Sequence, residues 1–216
     1  LDAALSDVAP AANGSLRVAL RRTDGGGDLD LVVDDVISAT GFVTPLVDLP
    51  ALGVATFGAS RLPVQTPFWE SATVPGIRFA GTIGQGAKGL QRHGVPANSG
   101  AVHGARYNAR VLAADIAERD FGITRERPRI APDAVVAAIV DDLVGSPDLF
   151  HQRGYLARVL SVDPDGGFVD DGVQPLAHVL DAGGPDAVAV TLEADGSGAI
   201  YPVLYSRRRG VSADHT

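Results

Sequence analysis

Alternating apolar and polar residues open the informative part of the chain. Leu16, Val18 and Leu20 lie at every second position of Leu16–Arg22, which predicts a strand with one buried face. A glycine-rich turn at residues 23–28 follows. The apolar residues between 29 and 40 predict one or two further strands, and the second of these, residues 36–39, is expected to be the more deeply buried. This half of the chain therefore begins with a hairpin that leads into a core strand.

A strand, a loop of small residues and a helix are predicted next, in that order. A short strand over residues 77–80 follows a turn at Pro75 and Gly76, and small residues fill the loop that starts at Gly81. Apolar residues then recur at the spacing of a helix, with Asn98 or Ser99 as the predicted N-cap and an end near Gly122. These apolar residues are Val102, Ala105, Ala109, Leu112, Ala113 and Ile116.

The last third of the chain predicts a small, β-rich α+β domain. A helix over residues 133–144, capped by Asp133, precedes strands predicted at residues 155–162, 187–193 and 199–205. Turn residues at 194–199 join the last two strands into a hairpin. The segment after Arg207 is basic and polar, so it is expected to be disordered.

Composition excludes several functions. The chain has no cysteine, so these residues form no disulfide, zinc–thiolate site or thiol nucleophile, and a reducing cytoplasm is expected. Its net charge of −8 argues against binding nucleic acid. No apolar run reaches the ~20 residues of a membrane-spanning helix.

Two features of composition predict a bacterial fragment with two regions. The chain lacks methionine, begins at Leu1 and uses arginine in place of lysine except at Lys88, a usage that resembles GC-rich bacterial genomes. Residues 133–195 are strongly acidic, with Arg153 and Arg158 as their only strongly basic residues. The contrast with the rest of the chain suggests two regions with different tasks.

Three segments carry candidate chemistry. A predicted strand runs into Ala39-Thr40-Gly41, and another delivers Gly81-Thr82 to its end, where open α/β sheets bind ligands. Ser99-Gly100-Ala101 begins the long helix, whose unpaired N–H groups and positive dipole end favour negative charge. Each segment taken alone is also compatible with an ordinary turn or tight loop.

Together these segments resemble the flavoproteins that have two dinucleotide-binding domains, a superfamily that includes thioredoxin-reductase-like enzymes and flavin-containing monooxygenases. The resemblance covers residues 16–118. It implies that Ala39-Thr40-Gly41 crosses from the NAD(P)H domain back to the FAD domain, that Gly81-Thr82 meets the flavin, and that the helix begins under the pyrimidine edge of the ring. Thr82 stands where the family usually has an aspartate that hydrogen-bonds the ribityl chain; its hydroxyl is a weaker substitute.

The resemblance implies an α/β fold, a partial Rossmann-like FAD/NAD(P)-binding domain followed by the α+β domain. The two glycine-rich pyrophosphate loops of the family, each between the first strand and first helix of its domain, are absent here, so they are expected upstream of Leu1. The implied activity is transfer of hydride from NAD(P)H to FAD and then to an unknown small molecule or electron carrier. Activity as a monooxygenase remains an alternative. The glutathione-reductase type is disfavoured, because this sequence lacks the His-Pro pair that this type carries in its C-terminal domain.

Other candidate residues have a functional and a plain structural interpretation. Lys88, in the loop after Gly81, has the charge to face a phosphate or the N1–O2 edge of a flavin. His93 is either a ligand of the flavin or substrate or a solvated loop residue. Trp69 either walls a pocket or fills the core, and His103 is expected to help the helix pack. His151 and His178 have no partner at metal-ligand spacing, so neither they nor other residues predict a metal site.

The candidate cofactor-binding residues are thus Ala39, Thr40, Gly41, Gly81, Thr82, Lys88, Ser99, Gly100 and Ala101. The predicted domains are residues 1–124 for the end of the NAD(P)H domain and the returning FAD domain, 125–132 for a linker, 133–209 for the C-terminal domain and 210–216 for a disordered tail. The alternative function is a noncatalytic binding module, with the C-terminal domain as its recognition element. A homodimer also stays open.

Overall fold

The computed structural model describes residues 2–39, 46–57, 62–86 and 101–215. Two compact units divide the chain, Leu1–Val43 and Thr44–Thr216. This division differs from the predicted boundary at residues 125–132. The reason is that one hydrophobic core joins residues on both sides of that segment, from Trp69 to Leu156.

The first unit is a three-stranded antiparallel sheet. Its strands are β1 (Ala3–Pro10), β2 (Leu16–Arg22) and β3 (Leu29–Val33), in that spatial order. The predicted strand at Leu16–Arg22 is confirmed with the same bounds. The buried strand predicted at residues 36–39 is wrong, because Ile37 is 89% exposed and the segment is irregular. Val33 already pairs with Leu16, the first residue of β2, so β2 offers no further partner.

Within its described residues, the second unit contains short strands, one long helix, three shorter helices and an antiparallel sheet. Its strands are β4 (Thr56–Phe57), β5 (Leu62–Pro63), β6 (Arg129–Ile130), β7 (Leu156–Val162), β8 (Phe168–Pro175), β9 (Ala187–Ala194), β10 (Ile200–Arg208) and β11 (Val211–His215). Its helices are α1 (Val102–Phe121), α2 (Val135–Gly145), α3 (Pro147–His151) and α4 (Leu176–Asp181). Mixed helices and strands confirm the coarse fold class. None of the described helices has the length and hydropathy needed to cross a membrane.

Helix α1 confirms the predicted amphipathic helix but buries a different face. Gly122 ends it in the left-handed conformation (φ 66°), and its N–H group bonds to Ala117. Val102, predicted on the inner face, is 82% exposed. The buried residues are Gly104, Tyr107, Asn108, Val111 and Leu112. The helical period is confirmed and the buried face is rotated from the predicted one, since Leu112 is buried and Ile116 packs on the core as predicted but Val102 and Ala113 are exposed.

The predicted strand over residues 77–80 is wrong. Arg78 forms only an isolated bridge with Glu70, flanked by main-chain bonds from Ser71 N to Ile77 O and from Phe79 N to Trp69 O. Trp69 has a left-handed backbone (φ 57°), which interrupts the extended geometry that a continuous ladder needs. Residues Gly81–Gly86 then form 3-10 turns.

A six-stranded antiparallel sheet dominates the C-terminal part. Its order is β11-β10-β9-β7-β8-β6, and the three predicted strands correspond to β7, β9 and β10. Strands β6 and β8 were not predicted. The segment predicted to be a disordered tail contains β11, which pairs with β10 and places Ser206 Oγ 2.9 Å from His215 Nε2. Pairing with an existing strand orders a segment whose own composition is polar.

Helix α2 confirms the second predicted helix, although its cap differs. The N-cap is Ala134 rather than Asp133, and it makes no side-chain capping hydrogen bond. Helices α3 and α4 were missed because each is too short to show a helical period. Helix α4 packs through Leu176 and Val179 on a sheet face that includes Val159, Val203 and Tyr205.

Trp69 lies at the centre of the other hydrophobic cluster. It is 1% exposed and packs with Tyr107, Val111 and Leu112 of α1 and with Leu156 of β7. Its indole Nε1 donates a hydrogen bond of 3.0 Å to the hydroxyl of Tyr155. The interpretation of Trp69 as a core residue is confirmed.

We expect Trp69→Ala to lower the free energy of unfolding by about 3–5 kcal/mol, since it removes a buried aromatic side chain and leaves a cavity. Tyr155→Phe removes only the hydroxyl and should cost about 1–3 kcal/mol, because the indole N–H loses its acceptor. Urea unfolding followed by far-ultraviolet circular dichroism measures both changes.

The matched control is Phe121→Ala, since Phe121 is 73% exposed at the end of α1. That variant should change the unfolding free energy by less than about 0.5 kcal/mol. A loss in the Trp69 variant as small as in this control would contradict the central position of the indole.

Candidate functional site

The structure places Gly81 and Thr82 at the start of the 3-10 segment Gly81–Gly86. Gln65 Nε2 donates a hydrogen bond of 2.8 Å to the carbonyl of Ile83 in this segment. Gly84 lies close to the indole of Trp69, because a Cβ added to Gly84 would lie 3.2 Å from Trp69 Cδ1. Gly81 has φ 85°, and a Cβ built on it meets no atom within 4 Å. Thr82 is exposed. The segment therefore packs on Trp69 at Gly84 and has open space beside Gly81.

The same 3-10 segment, Gly81–Gly86, contacts helix α1. The N-cap of α1 is Ala101, whose extended backbone (ψ 159°) makes no side-chain capping bond. The N–H groups in the first turn of a helix have no partner within the helix, so they can donate to an anionic or polar group. The predicted caps, Asn98 and Ser99, lie outside the described residues.

Most of the other predicted cofactor residues fall where the structure gives no description. Thr40, Gly41, Lys88, Ser99 and Gly100 lie outside the described ranges, and so does His93. Ala39 is exposed and belongs to the first unit. The roles assigned to these residues stay predictions.

Gly84, Gly86 and Gly89 have the spacing G-x-G-x-x-G, a pattern to which the prediction gave no weight. Gly84 and Gly86 belong to 3-10 turns rather than to a junction between a strand and a helix. Gly84 is needed for another reason, because its missing Cβ makes room for the indole of Trp69. The spacing therefore does not mark a pyrophosphate loop here.

A cleft of about 570 Å³ lies in the second unit, among α1, β7, β8 and α4. Apolar side chains form part of its wall: Phe68, Val111, Val159, Val173 and Val179. Charged and polar side chains complete it: Asp115, Glu118, Arg119, Arg125, Arg127, Ser161, Asp171, Gln174, His178 and Arg207. None of the predicted cofactor residues lines this cleft.

A carboxyl group and an imidazole with shifted pKa values face this cleft. Burial raises the pKa of Asp115 above its usual value, and Arg119 partly offsets that change. Burial also lowers the pKa of His178, Asp115 opposes this, and the charges of Arg207 and Arg119 add to the lowering. The imidazole of His178 lies edge-on to Phe68, with ring centroids 4.8 Å apart. A carboxyl group and an imidazole with shifted pKa values in one cleft are typical of a functional site.

Ion pairs neutralise most charges at the mouth of the cleft. Arg127 pairs with Glu118 (2.5 Å) and with Asp171 (3.6 Å), and Arg125 also pairs with Glu118 (3.3 Å). Arg119 lies 3.4 Å from both Asp115 and Glu70. These pairs are partly exposed, so each contributes little stability.

Three aromatic rings stack between α1 and α3. His151 lies parallel to His103, with centroids 4.8 Å apart, and parallel to Tyr107 at 5.7 Å. The packing role predicted for His103 fits this stack. No group of three or more potential metal ligands occurs among the residues that the structure describes.

The cleft was not predicted because its residues come from distant segments. Asp115 and His178 lie far apart in the chain, and no motif links them. The one available signal was the helical spacing of Val111, Asp115 and Glu118 along α1, which places a carboxylate beside an apolar position on one side of the helix.

Comparison of the chain with models of protein families, curated proteins and solved structures finds no significant match.

The lowered pKa of His178 predicts how stability depends on pH. In the folded protein His178 binds fewer protons than in the unfolded chain, so its contribution favours folding at higher pH and is lost as pH falls below the ordinary value of 6.5. We expect His178→Gln to weaken the fall in unfolding free energy just below pH 6.5. Urea titrations at closely spaced pH values measure the slope.

A cleft residue that does not titrate serves as the control. Gln174→Ala changes the same cleft without removing an ionisable group, so it should keep the wild-type slope. An unchanged slope in His178→Gln would show that this imidazole does not cause the pH dependence.

Proposed function

We propose that the chain is part of an FAD-dependent oxidoreductase in which NAD(P)H reduces the flavin. The observation that carries the proposal is the contact between the Gly81–Gly86 segment and α1, the helix whose N-cap residue is Ala101. The three segments that resemble the two-domain flavoproteins, at Ala39-Thr40-Gly41, Gly81-Thr82 and Ser99-Gly100-Ala101, supply the family context. The described sheets are antiparallel, so the proposal assigns the parallel Rossmann-like layer and its pyrophosphate loops to sequence outside residues 1–216.

The described residues fit one side of a flavin. Gly81 leaves open space where a side chain would project, which allows a ring to approach the backbone. The exposed hydroxyl of Thr82 can accept or donate a hydrogen bond to a ribityl group. The first-turn amides of α1 would stabilise negative charge on a reduced ring, and Lys88 would add to this effect. When bound, the flavin supplies the acceptance of hydride.

The acceptor of the electrons is a small molecule or an electron carrier. The chain has no cysteine, so a disulfide relay would need thiols from other sequence. Transfer to oxygen, as in a monooxygenase, therefore fits these residues better than disulfide reduction does. The absence of cysteine also suits the proposed cytoplasmic location.

A noncatalytic binding module is the second candidate function. The cleft favours it, because most residues that line the cleft belong to the predicted C-terminal domain and none is a predicted cofactor residue. In that case the C-terminal domain would recognise a ligand, and the front half would act as a scaffold.

The visible spectrum of the full-length protein distinguishes the two functions. We expect an absorbance band near ~450 nm that NAD(P)H bleaches, as bound flavin requires. A colourless protein that FAD does not reconstitute would rule out the oxidoreductase proposal and favour the binding module.

Gly81→Val tests the proposed contact. We expect the full-length variant to lose its flavin, because the new side chain would occupy the open space beside the backbone. Gly76→Val is the matched control, since Gly76 also has φ 85° and a Cβ added there would likewise meet no atom within 4 Å. Both variants carry similar backbone strain, so equal flavin content in the two proteins would refute the placement at Gly81.

A further inference from the structure

Arg207 is a buried cation whose charge is balanced only by main-chain dipoles. It lies on β10, is 8% exposed and lines the cleft. Its guanidinium donates from Nε to the carbonyl of Pro185 (2.9 Å) and from Nη1 to the carbonyl of Val179. Among the residues that the structure describes, every other arginine at the cleft has a carboxylate partner, and Arg207 has none. A desolvated guanidinium without an anion is an unusual and costly arrangement.

We infer that the cleft is a binding site for a small monocarboxylate with an apolar body, with Arg207 as its anchor. A guanidinium presents a planar fork of N–H donors that matches a carboxylate. Two carbonyl bonds fix the orientation of this fork, so little further ordering is needed when a ligand binds.

The strand register places the polar side chain of Ser161 on the same face of the sheet as Arg207. Ser161 pairs with Ala187, and Ala187 pairs with Arg207, across β7, β9 and β10. Residues that pair in register project from the same face of a sheet, and the outer two strands of such a row are about 10 Å apart. Ser161 and Arg207 both line the cleft, so a ligand in it would have the hydroxyl on one side and the guanidinium on the other.

The other residues that line the cleft indicate the chemistry of the remaining part of the ligand. Val159, Val179 and Phe68 offer apolar contacts to a carbon skeleton. The carboxylates that line the cleft pair with Arg119, Arg125 and Arg127, so among the described lining residues Arg207 is left to balance a single negative charge on a ligand. A single carboxylate on an apolar skeleton suits both conditions.

Benzoate is the probe for this site, and benzamide is its neutral counterpart of nearly the same shape. Isothermal titration calorimetry on the chain should show that benzoate binds and that benzamide binds at least about tenfold more weakly, since hydrogen bonds to a charged partner contribute about that factor. Equal binding of the two compounds, tighter binding of phosphate, or no binding of benzoate would each overturn the inference.

Arg207→Gln should weaken benzoate binding by about tenfold or more. Because Arg207 also bonds to the main chain, a second variant covers the case in which this one fails to fold. Ser161→Asp places a carboxylate across Ala187 from Arg207, where it would compete with the ligand and abolish binding. The same change at Ser6, an exposed strand position in the first unit, is the control and should leave binding unchanged.

The site does not rest on the proposed flavin chemistry, and the experiment needs no flavin. Benzoate binding by a colourless full-length protein that FAD does not reconstitute would support the cleft and refute the oxidoreductase. A flavin-containing protein in which Ser161→Asp binds benzoate as well as the wild type does would support the oxidoreductase and refute the carboxylate site in the cleft.

Discussion

The second unit depends on how Trp69 is buried. Its backbone adopts φ 57°, a conformation that costs a bulky residue about 1–3 kcal/mol. Burial of an indole contributes about 3–5 kcal/mol by the cost of removing it, so packing outweighs the strain. One side chain thus contacts α1, the hydroxyl of Tyr155 and the glycine edge of the 3-10 segment. The strain is retained because every contact requires that orientation.

Local patterns in the sequence predicted local structure well. Alternation of apolar and polar residues predicted β2, and a 3.6-residue period of apolar residues predicted α1. Turn residues around Asp195 predicted the hairpin of β9 and β10. In that turn the Asp195 carboxylate accepts hydrogen bonds from the N–H groups of Ser197 and Ala199. Partner-dependent features were missed. Residues 36–39 look like a buried strand but have no strand to pair with, and the polar segment of β11 is ordered by β10.

The candidate sites also divide into those that a contiguous sequence motif predicted and those that depend on distant segments and were missed. Gly81-Thr82 and Ser99-Gly100-Ala101 were predicted because each is a contiguous motif; the Gly81–Gly86 segment contacts α1, and the roles of these residues stay predictions. Asp115, His178 and Arg207 were missed because the cleft forms only when α1, α4 and β10 meet. Arg207 was also missed because it belongs to a run of arginines near a chain end, and such a run suggests a solvated tail. In the structure, side chains alternate along β10, so Arg207 is buried and Arg208 is exposed.

Helix α1 connects the two sites and determines how they can relate. Its first turn follows Ala101, whereas Asp115 lies about 20 Å further along the axis at 1.5 Å per residue. A ring that contacts the first turn therefore could not touch a ligand held at Asp115 and Arg207. Communication between the sites would instead have to pass along α1 and the Trp69 cluster, since Val111 belongs to that cluster and also lines the cleft. A tightly packed core transmits such displacements, because it has few voids to absorb them.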